Sequence, residues 1–384
     1  HTSSARVSIP TTVPTGSQLR AATASSDHEP VCRRPGETAA TPAAIARIGR
    51  AAMRLPSISV IFPTYNRCEV VRRTLECLSA CDYPHELVEI IVGDNSSDDT
   101  PQMVREVAAA APFPIRLQES DERLPAVKRN QGLAAATGDL ALFLNDDVWV
   151  DPSLLAEHAQ THLAHDVPVA VVGLVEQSPE MPSDPFVEWY RPFAYDELAG
   201  LADQEVNYRY SWSMNLSLPR QVMVDRNLIF HEDWAHIGHE DVELGYRWAA
   251  AGYRLIYNPR ARGDHFHPHD LDSACRLQES VGRGLRDLEA LIPESDLLER
   301  YGLFSTTSSP RSMVRTGVRS ALFNRWTVPP LQRTLATSAS PGRFAEWAYW
   351  KVMLHHTARG YRSEAPRSPR PTPIAPETVL VNAS

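Results

Sequence analysis

The apolar run Leu140-Ala141-Leu142-Phe143-Leu144 ends abruptly in Asn145-Asp146-Asp147. Two adjacent carboxylates repel, and hard oxygen ligands on a short turn suit Mg2+ or Mn2+, held together with substrate phosphates. Asn and Asp also open turns and cap helices, so the triplet by itself leaves a structural use open. Polar groups stand at two further places of the same kind. Pro63-Thr64-Tyr65-Asn66-Arg67 follows the apolar Ile58 to Phe62, and Gly93-Asp94 follows Leu87 to Val92. A carboxylate such as Asp94 accepts a hydrogen bond from a base N–H or a sugar hydroxyl. Acidic residues cluster again at Glu240-Asp241 and Glu243, where a helix dipole also favours them. Six histidines fall between His231 and His269. They raise the alternative of a zinc hydrolase, but H-E-x-x-H is absent because Ala235 stands where its second histidine would be. Neither G-x-G-x-x-G nor the Gly-rich Lys loop occurs, so dinucleotide-binding and P-loop chemistry have no local support.

Positioning these residues requires strands that end at a common edge. From Ser57 onward, strands (Ile58 to Phe62, Leu87 to Val92, Ile115 to Gln118, Leu140 to Leu144) alternate with helices (Glu69 to Ala80, Pro101 to Ala110, Ala126 to Ala136). That alternation predicts an α/β fold with a doubly wound, mostly parallel sheet, whose strand ends converge on one crevice. Beyond it, a helix is expected over Pro152 to Leu163 and strands over Val167 to Val175, Tyr208 to Leu218 and Tyr253 to Tyr257. Helices are expected over Glu240 to Ala250 and Leu271 to Leu291. The aromatic stretch Pro179 to Gln204 reads as a long functional loop that orders over a ligand. Residues 1–54 read as a flexible leader with a short helix over Ala43 to Met53, residues 55–300 as the main domain, 301–365 as a helical extension and 366–384 as a Pro-rich tail.

Bulk properties exclude several classes. A net charge of −9 over 384 residues argues against nucleic acid as partner. No apolar stretch reaches the roughly 18 residues of a membrane span, so a membrane partner is peripheral at most and a cytoplasmic location is expected. Five cysteines without C-x-x-C point to reduced thiols and away from a thiolate zinc site. Aromatic residues alternating with basic ones after Ser305 fit a helical tail packed on the core, or an amphipathic surface for a partner, a membrane or a second copy of the chain.

Five ordered motifs carry a family resemblance: Val60 to Arg67, Val92 to Asp98, Lys128 to Leu133, Phe143 to Asp147 and Gly238 to Leu244, followed by His265-Phe266-His267. Together they resemble the family 2 glycosyltransferases of GT-A fold, over roughly Ser57 to Leu291. The resemblance implies a GT-A core with a helical C-terminal extension, a nucleotide-sugar donor (UDP-, GDP- or dTDP-linked), Mn2+ or Mg2+, and inverting transfer to a small-molecule, glycan or lipid-linked acceptor. By position it places Pro63, Thr64, Tyr65, Arg67 and Asp94 at the nucleotide, and Arg129 near the nucleotide or its phosphates. Asp146 would face the ribose, the sugar or a second metal position, while Asp147 and His267, with His265 as the alternative, would hold the metal. Asp241 would be the base, and Trp212, Met214, Asn215 and Glu240 would line the sugar or acceptor pocket. Asn145 replaces the family's usual first aspartate, which removes one charge from the metal site. A nucleotide-sugar-binding protein without turnover is the other reading that this departure allows.

Overall fold

The computed structural model describes residues 54–191, 193, 195–234, 236, 238–292, 298, 301, 303, 317–318, 321–337 and 342–363. The expected leader up to residue 53, its Ala43 to Met53 helix, and the tail from Pro366 lie outside the described residues.

The expected alternation is present: β1 (Ile58–Thr64), α1 (Cys68–Ser79), β2 (Val88–Asp94), α2 (Thr100–Ala110), β3 (Ile115–Glu119), α3 (Pro125–Ala135) and β4 (Leu140–Leu144). These strands are parallel, in the order β3-β2-β1-β4. Strands covered on both faces read as continuous apolar runs, and successive side chains go to opposite faces. Val60, Ile90 and Leu142 therefore pack with Val71, Leu75 and Val104 from α1 and α2. Ile61, Ile91 and Phe143 pack on the other side with Ala126 and Leu133 of α3. β1 runs past Pro63, which sets Thr64 directly beside Asp94.

The second half is mixed. It comprises β5 (Val148–Val150), α4 (Leu154–Leu163), β6 (Val169–Gln177), α5 (Pro185–Trp189), β7 (Glu205–Val206), β8 (Asn215–Pro219), α6 (Arg220–Asp225), α7 (Glu240–Ala250), β9 (Arg254–His265) and α8 (Leu271–Leu291). β8 runs antiparallel between β4 and β6, β9 is parallel to β6, and β5 and β7 pair antiparallel with β9. Three details differ from the sequence expectation. The strand expected from Tyr208 starts only at Asn215, because Tyr208–Tyr210 forms a 3-10 turn capped by Asn207, whose side chain accepts from the Arg209 N–H. The strand expected over Tyr253 to Tyr257 continues to His265, passing Pro259 by a register shift between Asn258 and Arg262, opposite Gly173 and Leu174. The three-residue β5 is too short to show a period.

The extension supplies α9 (Val328–Ala336) and α10 (Arg343–Ser363). Both pack on α8: Tyr349, Val352 and Met353 join Leu271 and Cys275, and Leu354 joins Leu285 and Leu288. The backbones of α8 and α10 nearly touch, since a Cβ at Gly282 would strike the Thr357 carbonyl and one at Gly360 would strike that of Glu279. Gly282→Ala is expected to destabilise this helix pair by about 1–3 kcal/mol and to speed proteolysis within α10; an unchanged urea midpoint and digestion pattern would contradict that packing account. The Pro179 to Gln204 stretch is not a bare loop. Phe186 and Tyr190 stack at 5.3 Å and pack with Tyr349 of α10, so its first half is tied to the extension. Cys68, Cys81 and Cys275 are free, as expected, but Cys77 is disulfide-bonded, which corrects the expectation of reduced thiols throughout. Among the described residues no helix is long and apolar enough to cross a membrane.

Candidate active site

The ends of β1, β2 and β4 form one rim. Thr64 Oγ1 donates to Asp146 Oδ2 at 2.7 Å, joining the first strand end to the fourth. Asn66 takes the left-handed conformation (φ 52°), and its side chain accepts from Ser97 N at 2.8 Å while its own N–H donates to Ser96 Oγ at 2.7 Å. These bonds brace the loop after β1 against the loop after β2. Asp94 is fully buried. Its Oδ1 accepts from the N–H and hydroxyl of Ser96, while its Oδ2 has no hydrogen-bond partner among the described residues. A buried acceptor left unpaired is costly, and a ligand N–H or hydroxyl would satisfy it. Pro63 is half-buried beside this rim and Tyr65 is exposed.

Lys128 is a site residue that sequence reasoning passed over. It is 3% exposed, and its Nζ donates to the Thr64 carbonyl at 2.8 Å and to Asn95 Oδ1. Burial pulls its pKa down, against the opposing charges of Asp94, Asp146 and Glu122. The signal was available, since Lys128 opens the quoted Lys-Arg-Asn run on a helix face made otherwise of small and apolar residues.

Asp147 is gripped from three directions. His267 Nδ1 is 2.7 Å from its Oδ2, Arg67 Nη1 donates to the same oxygen, and His265 Nε2 is 3.3 Å from Oδ1. Oδ1 is buried and accepts no well-directed hydrogen bond. One ligand atom each from Asp147, His265 and His267 lies within 4.8 Å of the others, so the three can hold a metal ion. Both histidines arrive through β9: Val148 of β5 pairs with His265, and Phe266 N donates to the Asp147 carbonyl at 2.8 Å. The Arg67 guanidinium is set among the same groups, bonded to Asp146 Oδ1 at 3.1 Å and to His267 at 2.8 Å. The adjacent carboxyls are driven apart electrostatically. Burial and the charge of Asp147 push Asp146 up to about 6. Asp147 is held well below the usual carboxylate range, because His265, His267 and Arg67 outweigh its burial.

Arg129 and Glu240 form a buried ion pair at 2.9 Å, and Arg129 Nη2 also reaches Asn145 Oδ1 at 3.3 Å. Burial and neighbouring Asp241 push Glu240 up, against the pull of Arg129. This pair ties the end of β4 to the start of α7. It also engages Asn145, whose Oδ1 accepts from Arg129. α7 begins after two left-handed residues, Gly238 (φ 101°) and His239 (φ 73°). Such a conformation is strained for a non-glycine residue, and strain of this kind clusters at functional sites. Asp241 is half-buried: Oδ2 accepts from Ser213 N at 3.0 Å and Oδ1 from Val242 N at 2.8 Å.

The expected pocket residues do not all face the site. Asn215 is fully buried, with its Oδ1 2.8 Å from His158 Nε2 and its Nδ2 donating to the Ala261 carbonyl at 2.8 Å. Its side chain is consumed in holding β8 to β9 and α4. Met214 is core, packed with Leu144, Val148 and Trp149. Trp212 is half-buried against Phe193, Tyr195 and Tyr210. Of the set, only Trp212 retains surface beside Asp241's partner Ser213, because alternation along the strand sends Asn215 inward.

Residues 59–216 match the family model Glycosyl transferase family 2. Validoxylamine A glucosyltransferase of Streptomyces hygroscopicus subsp. limoneus is 28% identical over 297 residues, covering 70% of this chain and 65% of that protein, just under two thirds of its length. An uncharacterized protein of Mycobacterium tuberculosis is 26% identical over 348 residues, covering 79% of this chain and 95% of that one. Among solved structures, a mannosyltransferase from Pyrobaculum calidifontis in complex with GDP-Man and Mn2+ shares the fold at a TM-score of 0.56. It has 19% identity and covers 81% of this chain and 89% of its own. The GT-A arrangement expected from the motifs is thereby met. The motifs stand in order, the strands that carry them end on one rim, and residues 59–216, which hold most of them, match the family 2 glycosyltransferases.

Proposed function

We propose that this chain is an inverting glycosyltransferase that moves a sugar from a nucleoside-diphosphate sugar to a hydroxyl or amine acceptor. The observation that carries the reading is the group of Asp147, His265 and His267, able to hold a cation, on the same rim as Asp94, whose Oδ2 has no partner among the described residues. In this reading Asp94 accepts from the base or ribose, with Pro63, Thr64 and Tyr65 alongside. Lys128 holds the Thr64 carbonyl and the Asn95 side chain that shape that pocket. Arg129 acts through Glu240 to position the start of α7. Asp241 accepts the proton of the acceptor as its oxygen or nitrogen attacks the anomeric carbon, and the bond to the β-phosphate oxygen breaks with the electron pair leaving on the nucleoside diphosphate. Trp212 and Glu240 border the sugar or acceptor. Asp147, His265 and His267 would hold a divalent ion, which would supply positive charge to stabilise the leaving diphosphate. One carboxylate with two imidazoles favours Mn2+ over Mg2+, which prefers oxygen donors.

The bound GDP-Man and Mn2+ of the Pyrobaculum mannosyltransferase support a nucleotide-sugar donor and a metal, and the name of the Streptomyces relative supports a small-molecule acceptor. A cytoplasmic location, at the membrane's edge at most, belongs to the same reading. The zinc hydrolase alternative loses its ground with the family match. The test is a thermal-shift panel of nucleoside diphosphates and nucleotide sugars with and without Mn2+, followed by mass spectrometry of products with candidate acceptors. Donor-dependent stabilisation enhanced by Mn2+, with sugar transfer, is expected. Stabilisation without any transfer or donor hydrolysis would favour the binding protein, and no response to any nucleotide would reject the reading.

Arg67 makes a sharper prediction. Its guanidinium competes with a metal ion for Asp147 and His267. Arg67→Ala is expected to lower the melting temperature of metal-free protein, because it removes the cation bonded to both buried carboxylates. It is also expected to raise Mn2+ affinity about tenfold by calorimetry, since each 1.4 kcal/mol of competition removed is a factor of ten. Weaker Mn2+ binding in the variant would make Arg67 a support of the site, not a competitor.

A further inference from the structure

The C-terminal extension has a charge opposite to the rest of the chain. Residues 305–384 hold eleven Arg or Lys against three Asp or Glu, whereas the whole chain carries −9. On its described part, Phe344, Trp347 and Lys351 recur at helical spacing along one face of α10. The rings of Phe323 and Phe344 lie 5.6 and 5.7 Å from that of Trp347. Trp326 is 74% exposed and Phe344 70%, unusual values for such large apolar side chains. Arg325 lies over the Trp326 ring at 4.8 Å, and Lys351 Nζ over Trp350 at 3.6 Å. Beside these aromatics a cavity of about 400 Å³ opens between α9 and α10, lined by Arg325, Gln332, His355, His356 and Arg359. Two carboxylates face this group from α8: Glu279 accepts from His356 at 2.7 Å and Arg359 at 3.0 Å, and Asp272 accepts from Gln332 at 2.6 Å, which leaves Arg325 without a carboxylate partner among the described residues.

We propose that this face docks on an anionic lipid bilayer, with Trp326, Phe344 and Trp347 entering the headgroup layer and the basic cavity taking a lipid phosphate. Aromatic rings with an apolar body and a polar edge, set among Arg and Lys, are the composition of a membrane-interface surface. Charge decides between occupants: an anionic bilayer complements the surplus of cations, whereas a second copy would press two basic faces together. The proposal deepens the reading above by giving the enzyme a membrane at its periphery, and its test does not depend on catalysis.

The test is co-sedimentation of the full chain with phosphatidylcholine vesicles, with and without phosphatidylglycerol. Binding to the anionic vesicles is expected to exceed binding to neutral ones by at least about tenfold and to fall with salt. The variants Trp326→Ala/Phe344→Ala and Arg325→Glu should each lose it, with melting temperature and nucleotide binding unchanged. Equal binding to both vesicle types, binding to neither, or binding retained in both variants would overturn the proposal. Two other results would also overturn it: displacement by inorganic phosphate alone, which assigns the cavity to free anions, and a dimer in light scattering that the aromatic variant abolishes, which makes the face a self-interface. Failure of the parent chain to bind either vesicle type, with its nucleotide binding intact, would sink this inference and leave the catalytic reading standing.

Discussion

Asp241→Asn is expected to bind nucleotide sugar as the parent does and to lose turnover by about 10²- to 10⁴-fold, the usual contribution of a general base. Asn keeps the shape of the side chain and removes its capacity to accept a proton. The geometry adds a complication that the measurement must handle. Each Asp241 oxygen accepts a backbone N–H, from Ser213 and from Val242. An amide can satisfy only one of them with its oxygen and must turn its NH2 toward the other, at a cost of about 1–3 kcal/mol. The variant should therefore melt earlier, and turnover has to be normalised to folded protein. The KM for donor should stay within a few-fold while kcat falls, because a group that acts only in the transition state affects kcat and kcat/KM equally. Near-parent kcat, or a loss confined to KM, would remove Asp241 from the role of base.

Asp147→Asn is expected to abolish the part of nucleotide binding that depends on metal, a loss of well over tenfold in affinity by calorimetry, since even residues that only support a ligand cost 10–100-fold. In the metal-free protein the change should be small. Arg67 retains Asp146 as a partner, and His267 still contacts Arg67. Comparison with and without EDTA therefore separates the charge of Asp147 from its packing. If metal enhances binding to the variant as strongly as to the parent, Asp147 is not a ligand, and the electrostatic account of the leaving diphosphate fails with it.

Much of the first half of the fold is legible in the residues. Strands covered on both faces are largely apolar, so Ile58 to Phe62, Leu87 to Val92 and Leu140 to Leu144 stand out against the amphipathic helices between them; the buried exceptions, Ser59 and Glu89, bond each other. Polar residues that follow such runs emerge at the sheet edge, and that is why Thr64, Asp94 and Asp146 meet as expected. What local pattern cannot express is pairing between distant strands. The three residues of β5 have no period, and the Pro259 and Gly263 that interrupt β9 read as breakers; yet their antiparallel pairing carries His265 and His267 across more than a hundred positions to Asp147. Side-chain direction is lost in the same way. Asn215 was expected in the pocket, but β8 lies between β4 and β6, and its pleat turns that amide into the core toward His158. Arg129 and Glu240 lie 111 positions apart, and only the structure shows that they pair. By itself the sequence determined which residues end at the rim, because burial forces polarity to the strand ends; only the tertiary structure decided which of them face one another, because register and pleat are set by partners far away in the chain.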